Sequence, residues 1–127
     1  FGRAARHMEL RACPWHDAII EAELARAELL INASGIGVEV GESPIPIDLL
    51  PPDRYVLDLV LNHASTPLMA EAKARGGTVT NGQGAFLAGC TQTVRLLTGT
   101  APQLETLRSA LAAELGVPEE AVAVVGD

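Results

Sequence analysis

Leu29–Gly37 reads LLINASGIG, a continuous apolar run that gives way to small and polar residues. Asp58–Leu68 follows as DLVLNHASTPL and Gly76–Gly89 as GGTVTNGQGAFLAG, each again a short apolar stretch ending in small or polar residues. After the second and third blocks a helical segment starts almost at once. Parallel α/β sheets present their ligand-facing loops in this way, at the carboxyl ends of the strands.

The flanking segments carry the complementary helix signals. Gly2–Arg11 is helix-like, with Arg3, Arg6, Glu9 and Arg11 facing solvent, and Pro14 interrupts it. Asp17 is placed to cap a second helix through about Ala27, with Ile20, Leu24 and Ala27 at helical spacing. Leu29–Ala33 lacks alternation, which predicts a strand buried on both faces. Gly35–Pro52 is loop-like with a helical turn at Ile47–Leu50, and Tyr55–Leu61 is a second strand. Thr66-Pro67 combines a hydroxyl N-cap with proline at the first helical position, and that helix runs to Arg75 before Gly76-Gly77. Thr78–Thr80 is a short third strand. Ala85–Leu97 is the longest helix, closed by Gly99, and another runs from Pro102 to about Leu115 before Gly116 and Pro118. Glu119 and Glu120 open a short helix, where acids favour the dipole, and Ala121–Val125 is a last apolar run. The fold class is therefore α/β, a partial Rossmann-like, doubly wound domain with about three parallel strands flanked by helices.

Composition narrows the function. The 127 residues carry a net charge of −7, with 48% hydrophobic but only 3% aromatic residues. An acidic chain without Lys/Arg clusters or stacking aromatics disfavours nucleic acid and anionic membranes. The apolar runs fall short of the ~20 residues a membrane helix needs, and the N-terminus shows no secretory h-region. Cys13 and Cys90 give no disulfide framework, so a reduced, cytoplasmic setting is expected.

Several constellations invite chemistry and carry little. Asp58 sits inside an apolar run and needs partners if buried, which points to a structural carboxylate accepting donors from neighbouring loops. His63 and Ser65 suggest a triad with Asp58, yet no G-x-S-x-G elbow exposes the serine. His7, Cys13 and His16 lack a fourth ligand and Pro14 lies between them, so no metal site is expected. Lys73 reads as a solvated charge and Cys90 as a small core residue. Gly82-Gln83-Gly84 follows a strand and precedes a helix, but lacks a third glycine and an acidic ribose partner. No G-x-G-x-x-G or G-x-G-G motif stands before Leu29. Asn32, Ala33 and Ser34 combine small side chains, against which a flat ring can lie, with groups that hydrogen-bond a ribose or carboxamide. The same residues also suit a plain strand-to-loop turn.

Together the blocks closely resemble the C-terminal half of the nucleotide-binding domain of shikimate dehydrogenases. Strand ends in that family read roughly IINAT-x-x-G, D-x-x-Y-x-x-x-x-TPL and G-L-G-M-L-x-x-Q. The likeness runs from about Ala18 to about Leu115. It implies an NADP cofactor and reversible oxidation of shikimate to 3-dehydroshikimate, in aromatic amino acid biosynthesis. It puts Asn32, Ala33 and Ser34 beside the nicotinamide half of the cofactor, with Leu59 facing the ring and Gly82 allowing close backbone approach. Leu61 stands where the family usually has a tyrosine near the substrate carboxylate, and Gly89 where it has a glutamine that binds substrate hydroxyls. The family's catalytic lysine and aspartate belong to a separate N-terminal substrate domain, so no catalytic residue is expected in this chain.

The implied organisation is residues 1–127 as the C-terminal portion of a Rossmann-type NADP-binding domain. Residues 1–28 form a helical lead-in, 29–99 the strand–helix units and 100–127 the last helix and tail. Such a fragment should be inactive alone. Its open sheet edge predicts self-association, with a dinucleotide and a small-molecule substrate as partners of the parent protein. The Ala121–Val125 run is a candidate cover for that edge. Two alternatives stand beside this reading: a non-catalytic self-associating module, and a dehydrogenase for a different, less polar hydroxy acid, which the Leu61 and Gly89 departures permit.

Overall fold

Three strands of four residues each, β1 (Leu29–Asn32), β2 (Tyr55–Asp58) and β3 (Thr78–Asn81), form one parallel sheet in the order β1-β2-β3. The computed structural model of the chain describes residues 9–122. The strands are held in strict register: Leu30, Val56 and Val79 lie side by side, and so do Asn32, Asp58 and Asn81. Because side chains alternate across a strand, these two rows share one face. Helices α1 (Asp17–Arg26) and α2 (Pro67–Ala74) and a 3-10 turn at Ile47–Leu49 supply the apolar cover for that face. Ile20, Leu24, Ile45, Leu50, Val56, Leu68 and Ala72 form its core, with Leu30, Leu49 and Val79 packed against it. A second, smaller cluster joins α3 (Gln83–Thr98) to α4 (Leu104–Leu115) through Leu87, Leu111, Ala112 and Val122.

The fold class expected from the sequence is the one observed, with differences of local origin. Leu29 and Ile31 are about half exposed, as is Tyr55 opposite Leu29, so β1 is covered on one face rather than two. A continuous apolar run does not specify which of its faces finds a partner. The second strand stops at Asp58 instead of Leu61, because the Asp58 side chain accepts the Val60 N–H at 3.2 Å and turns the chain. The longest helix begins at Gln83, before the expected Ala85, and the third strand runs one residue further, to Asn81. The last long helix begins at Leu104 rather than Pro102. His16, not Asp17, is the cap of α1, and Asp17 occupies its first turn. Glu9–Arg11 are not helical, and the rest of the expected Gly2–Arg11 helix lies outside the described residues. Arg11 instead pairs with Glu23 of α1. Cys90 is partly rather than fully buried. Of the Ala121–Val125 run, the residues after Val122 lie outside the described ones; Val122 packs into the α3–α4 cluster.

Two helix ends form as their sequences dictate, down to single atoms. The Thr66 hydroxyl accepts the Met69 N–H at 3.3 Å and caps α2, with Pro67 as its first residue. Gly99 closes α3 at φ 76, in the left-handed region that only glycine enters without strain. No atom lies within 4 Å of a Cβ built at Gly99. Gly99→Ala should therefore cost only the conformational term, about 1 kcal/mol, read as a lower urea midpoint with unchanged slope.

Candidate functional site

The carboxyl ends of the strands carry a buried polar network. Asp58 is fully buried, and its Oδ1 accepts the Asn32 side-chain amide at 2.9 Å and the Val60 N–H. Its Oδ2 accepts the Thr66 hydroxyl at 2.7 Å. The structural role expected of Asp58 is thus filled by donors from three places: the β1 end, its own loop and the start of α2. Asn32, also buried, donates to the Ile36 carbonyl at 2.9 Å and accepts the Ser34 N–H at 3.2 Å and the Ser34 hydroxyl at 2.7 Å. Buried polar groups satisfied to this degree hold loops in one arrangement.

Above this network an open cavity of about 430 Å³ is lined by Asn32, Ala33, Gly35, Val38, Leu59, Val60, Leu61 and Asn62. Of the residues singled out from the sequence, Asn32, Ala33, Leu59 and Leu61 therefore meet on one cavity. Ser34 lines a neighbouring one of about 320 Å³ with Trp15, Leu30 and Ile31. Gly82 stands directly behind Leu59: a Cβ there would lie 2.7 Å from the Leu59 carbonyl oxygen and 2.8 Å from its Cα. The glycine is thus required by the backbone of β2's extension. Gly89 lies further along α3, exposed, with no atom within 4 Å of a built Cβ.

Sequence reasoning missed Val38 and Asn62. The Val38 carbonyl accepts the Asn62 side-chain amide at 3.0 Å and hydrogen-bonds His63 Nε2 at 2.7 Å, which ties the loop after β1 to the loop after β2. A carbonyl accepting two side chains across a loop gap leaves no pattern in sequence. His63 is committed there, the Ser65 hydroxyl reaches only the Thr66 carbonyl at 3.5 Å, and Asp58 is taken by its three donors. The three do not form a proton relay. Cys13 is exposed, His16 begins α1 and His7 lies outside the described residues. Among the described residues there is no group of three metal-ligating side chains and no helix long and apolar enough to cross a membrane.

Among the described residues no Lys or Arg lines the cavity, so it suits an uncharged ring better than a phosphate group. Small residues (Ala33, Gly35) and apolar ones (Val38, Leu59, Val60, Leu61) make up most of its lining, with Asn32 and Asn62 as the polar side chains.

No family model matches the chain. It is 38% identical over 104 residues to the NADP(+) shikimate dehydrogenase of Rhodopseudomonas palustris, covering 80% of this chain and 36% of that protein. A shikimate 5-dehydrogenase from Thermus thermophilus, solved in complex with NADP(H) and shikimate, superposes with a TM-score of 0.68 at 31% identity, over 84% of this chain and 38% of the other. The likeness extends to a 5-ketofructose reductase of Gluconobacter, with a TM-score of 0.54 at 25% identity, over 70% of this chain and 31% of the other. The chain spans roughly a third of the length of the relatives it matches. In sequence and in fold, over that third, it is a homologue of the NADP-dependent shikimate dehydrogenases.

Proposed function

We propose that these residues form the nicotinamide side of the cofactor groove of a shikimate-type, NADP-dependent dehydrogenase, as the C-terminal portion of its Rossmann domain. The observation that carries this reading is the convergence of Asn32, Ala33, Leu59 and Leu61 on one cavity at the carboxyl edge of the sheet. When bound, NADP supplies the hydride acceptor. The chain's own residues orient and shield it. Ala33 and Leu59 give the ring an apolar wall, Gly82 lets the third strand end close up behind Leu59, and the Asp58 network keeps the loops after β1 and β2 in place. No residue of this chain takes the role of acid or base, so the 127 residues by themselves are expected to be inactive. The setting that fits such chemistry is the cytoplasm.

A second reading is favoured by Leu61 and Gly89, which supply no polar group where the family resemblance puts a tyrosine and a glutamine: the substrate is a less polar hydroxy acid. A site that loses hydrogen-bond partners for substrate hydroxyls loses discrimination on the order of 10⁴-fold. The half-exposed Leu29 and Ile31 on β1, an edge strand among the described residues, favour a further proposal, self-association through the open sheet edge.

Gly89→Gln separates the first two. The position is open, so glutamine enters without a clash and should stabilise α3 by about 0.5 kcal/mol, because glycine is a poor interior helix residue. In the native protein, NADP+-dependent shikimate oxidation should rise roughly five- to tenfold, the effect of one regained hydrogen bond at roughly 1–1.5 kcal/mol. Unchanged shikimate turnover with brisk oxidation of less hydroxylated acids would favour the second reading. Absence of any NADP+-dependent oxidation would remove both and leave the self-associating module.

A further inference from the structure

The three strands end alike. LLIN, YVLD and TVTN each close on an Asn or Asp in the same register, and each of those side chains accepts the backbone N–H two residues on: Ser34 at 3.2 Å, Val60 at 3.2 Å and Gln83 at 3.1 Å. The residue enclosed by each turn is Ala33, Leu59 or Gly82. Two of these turns belong to the Asp58 network already described. The third, at Asn81, stands apart from it.

Asn81 does not line the cavity, yet it governs how the β3 end meets the β2 end. Its Oδ1 accepts the Gln83 N–H, and its Nδ2 donates to Gln83 Oε1 at 3.3 Å. Gln83 is buried, and its Nε2 donates to the Leu61 carbonyl at 3.4 Å. A chain of hydrogen bonds therefore runs from Asn81 through Gln83 to Leu61, around the point where Gly82 abuts Leu59. We propose that Asn81 is a positioning residue of the groove, holding Gly82 against Leu59 and so setting the wall that the nicotinamide meets. The assignment rests on the groove being a dinucleotide site. Its physical basis is that ligand-facing groups work only when the residues behind them are locked by packing and hydrogen bonds.

The test compares Asn81→Ala and Asn81→Asp in the native protein. Readouts are the NADPH dissociation constant, from nucleotide fluorescence, and hydrogen exchange of the Gln83 amide without ligand. Alanine removes the acceptor; aspartate keeps it while losing the amide donor to Gln83. Asn81→Ala should weaken NADPH binding about tenfold, equivalent to about 1.4 kcal/mol, and release the Gln83 amide to exchange. Asn81→Asp should keep the Gln83 amide protected and weaken NADPH binding less than alanine does, even if its thermal midpoint falls as far as that of the alanine variant. Such a split is not produced by general destabilisation. NADPH binding by Asn81→Ala within twofold of the parent, or a Gln83 amide still protected in it, would overturn the assignment. A parent protein that itself binds no NADPH would overturn the groove reading and this assignment with it.

Discussion

Asp58→Ala is expected to destabilise the fold by roughly 3–5 kcal/mol, the largest effect of any single change at the strand ends. The carboxyl group is fully buried and accepts three donors, the Asn32 amide, the Val60 N–H and the Thr66 hydroxyl. Alanine returns none of these acceptors. Asn32 keeps its bond to the Ile36 carbonyl, but Val60 and Thr66 are left as buried donors without one. An unsatisfied buried donor costs about 1–3 kcal/mol, far more than the net gain of forming the bond. The damage spreads because Thr66 also caps α2, whose Leu68 and Ala72 belong to the main core. Asp58→Asn isolates one part of this: Oδ1 is preserved and only the acceptor for Thr66 is lost, which should cost about 1–2 kcal/mol. Urea unfolding of both variants checks the ranking. An alanine variant within 1 kcal/mol of the parent would mean that the network does not hold the loops.

Gly82→Ala should be the most damaging conservative change to ligand binding. The added methyl would sit 2.7 Å from the Leu59 carbonyl oxygen and 2.8 Å from its carbonyl carbon and Cα. All three are backbone atoms, so relief requires the ends of β2 and β3 to move apart. Overpacking of this kind costs about 1–3 kcal/mol of stability. The functional loss should be of similar size, because a misplacement of about 1 Å can cost roughly 10²-fold, about 2.7 kcal/mol. Gly89→Ala is the matched control: its site is open, so the same methyl should leave binding unchanged and raise helix stability by about 1 kcal/mol. Equal NADPH affinity for Gly82→Ala and the parent would show that this wall does not meet the ligand.

Much of this architecture could be read in the chain, where single residues dictate local geometry. Thr66-Pro67 marks a helix start whatever surrounds it, and Gly99 and Gly116 stop helices in the left-handed region. The three blocks LLINAS, YVLDLV and TVTNGQ even show the shared Asn or Asp at each strand end, a regularity that became meaningful only once the strands were seen in register. What could not be read depends on atoms far apart in sequence. β2 stops at Asp58 because the side chain captures the Val60 amide, whereas apolar character continues to Leu61. The Val38 carbonyl is fixed by Asn62 and His63 from a loop more than twenty residues away. Nor does the run LLIN reveal that Leu29 and Ile31 face away from the packed helices. The candidate site was legible as a set of strand ends. Its cavity, its clamp and the reason for Gly82 emerged from the packing.

The central claim is that the ends of β1 and β2, backed by the β3 end at Gly82, form the wall that meets the nicotinamide half of NADP. Amide chemical-shift mapping of the native protein during NADP+ titration tests this most directly. The predicted result is a set of saturable shifts concentrated on Ala33, Ser34, Leu59 and Gly82, with α4 and the body of α1 unmoved. Saturable shifts confined to α1 or α4, or none at these four residues at saturating NADP+, would contradict it.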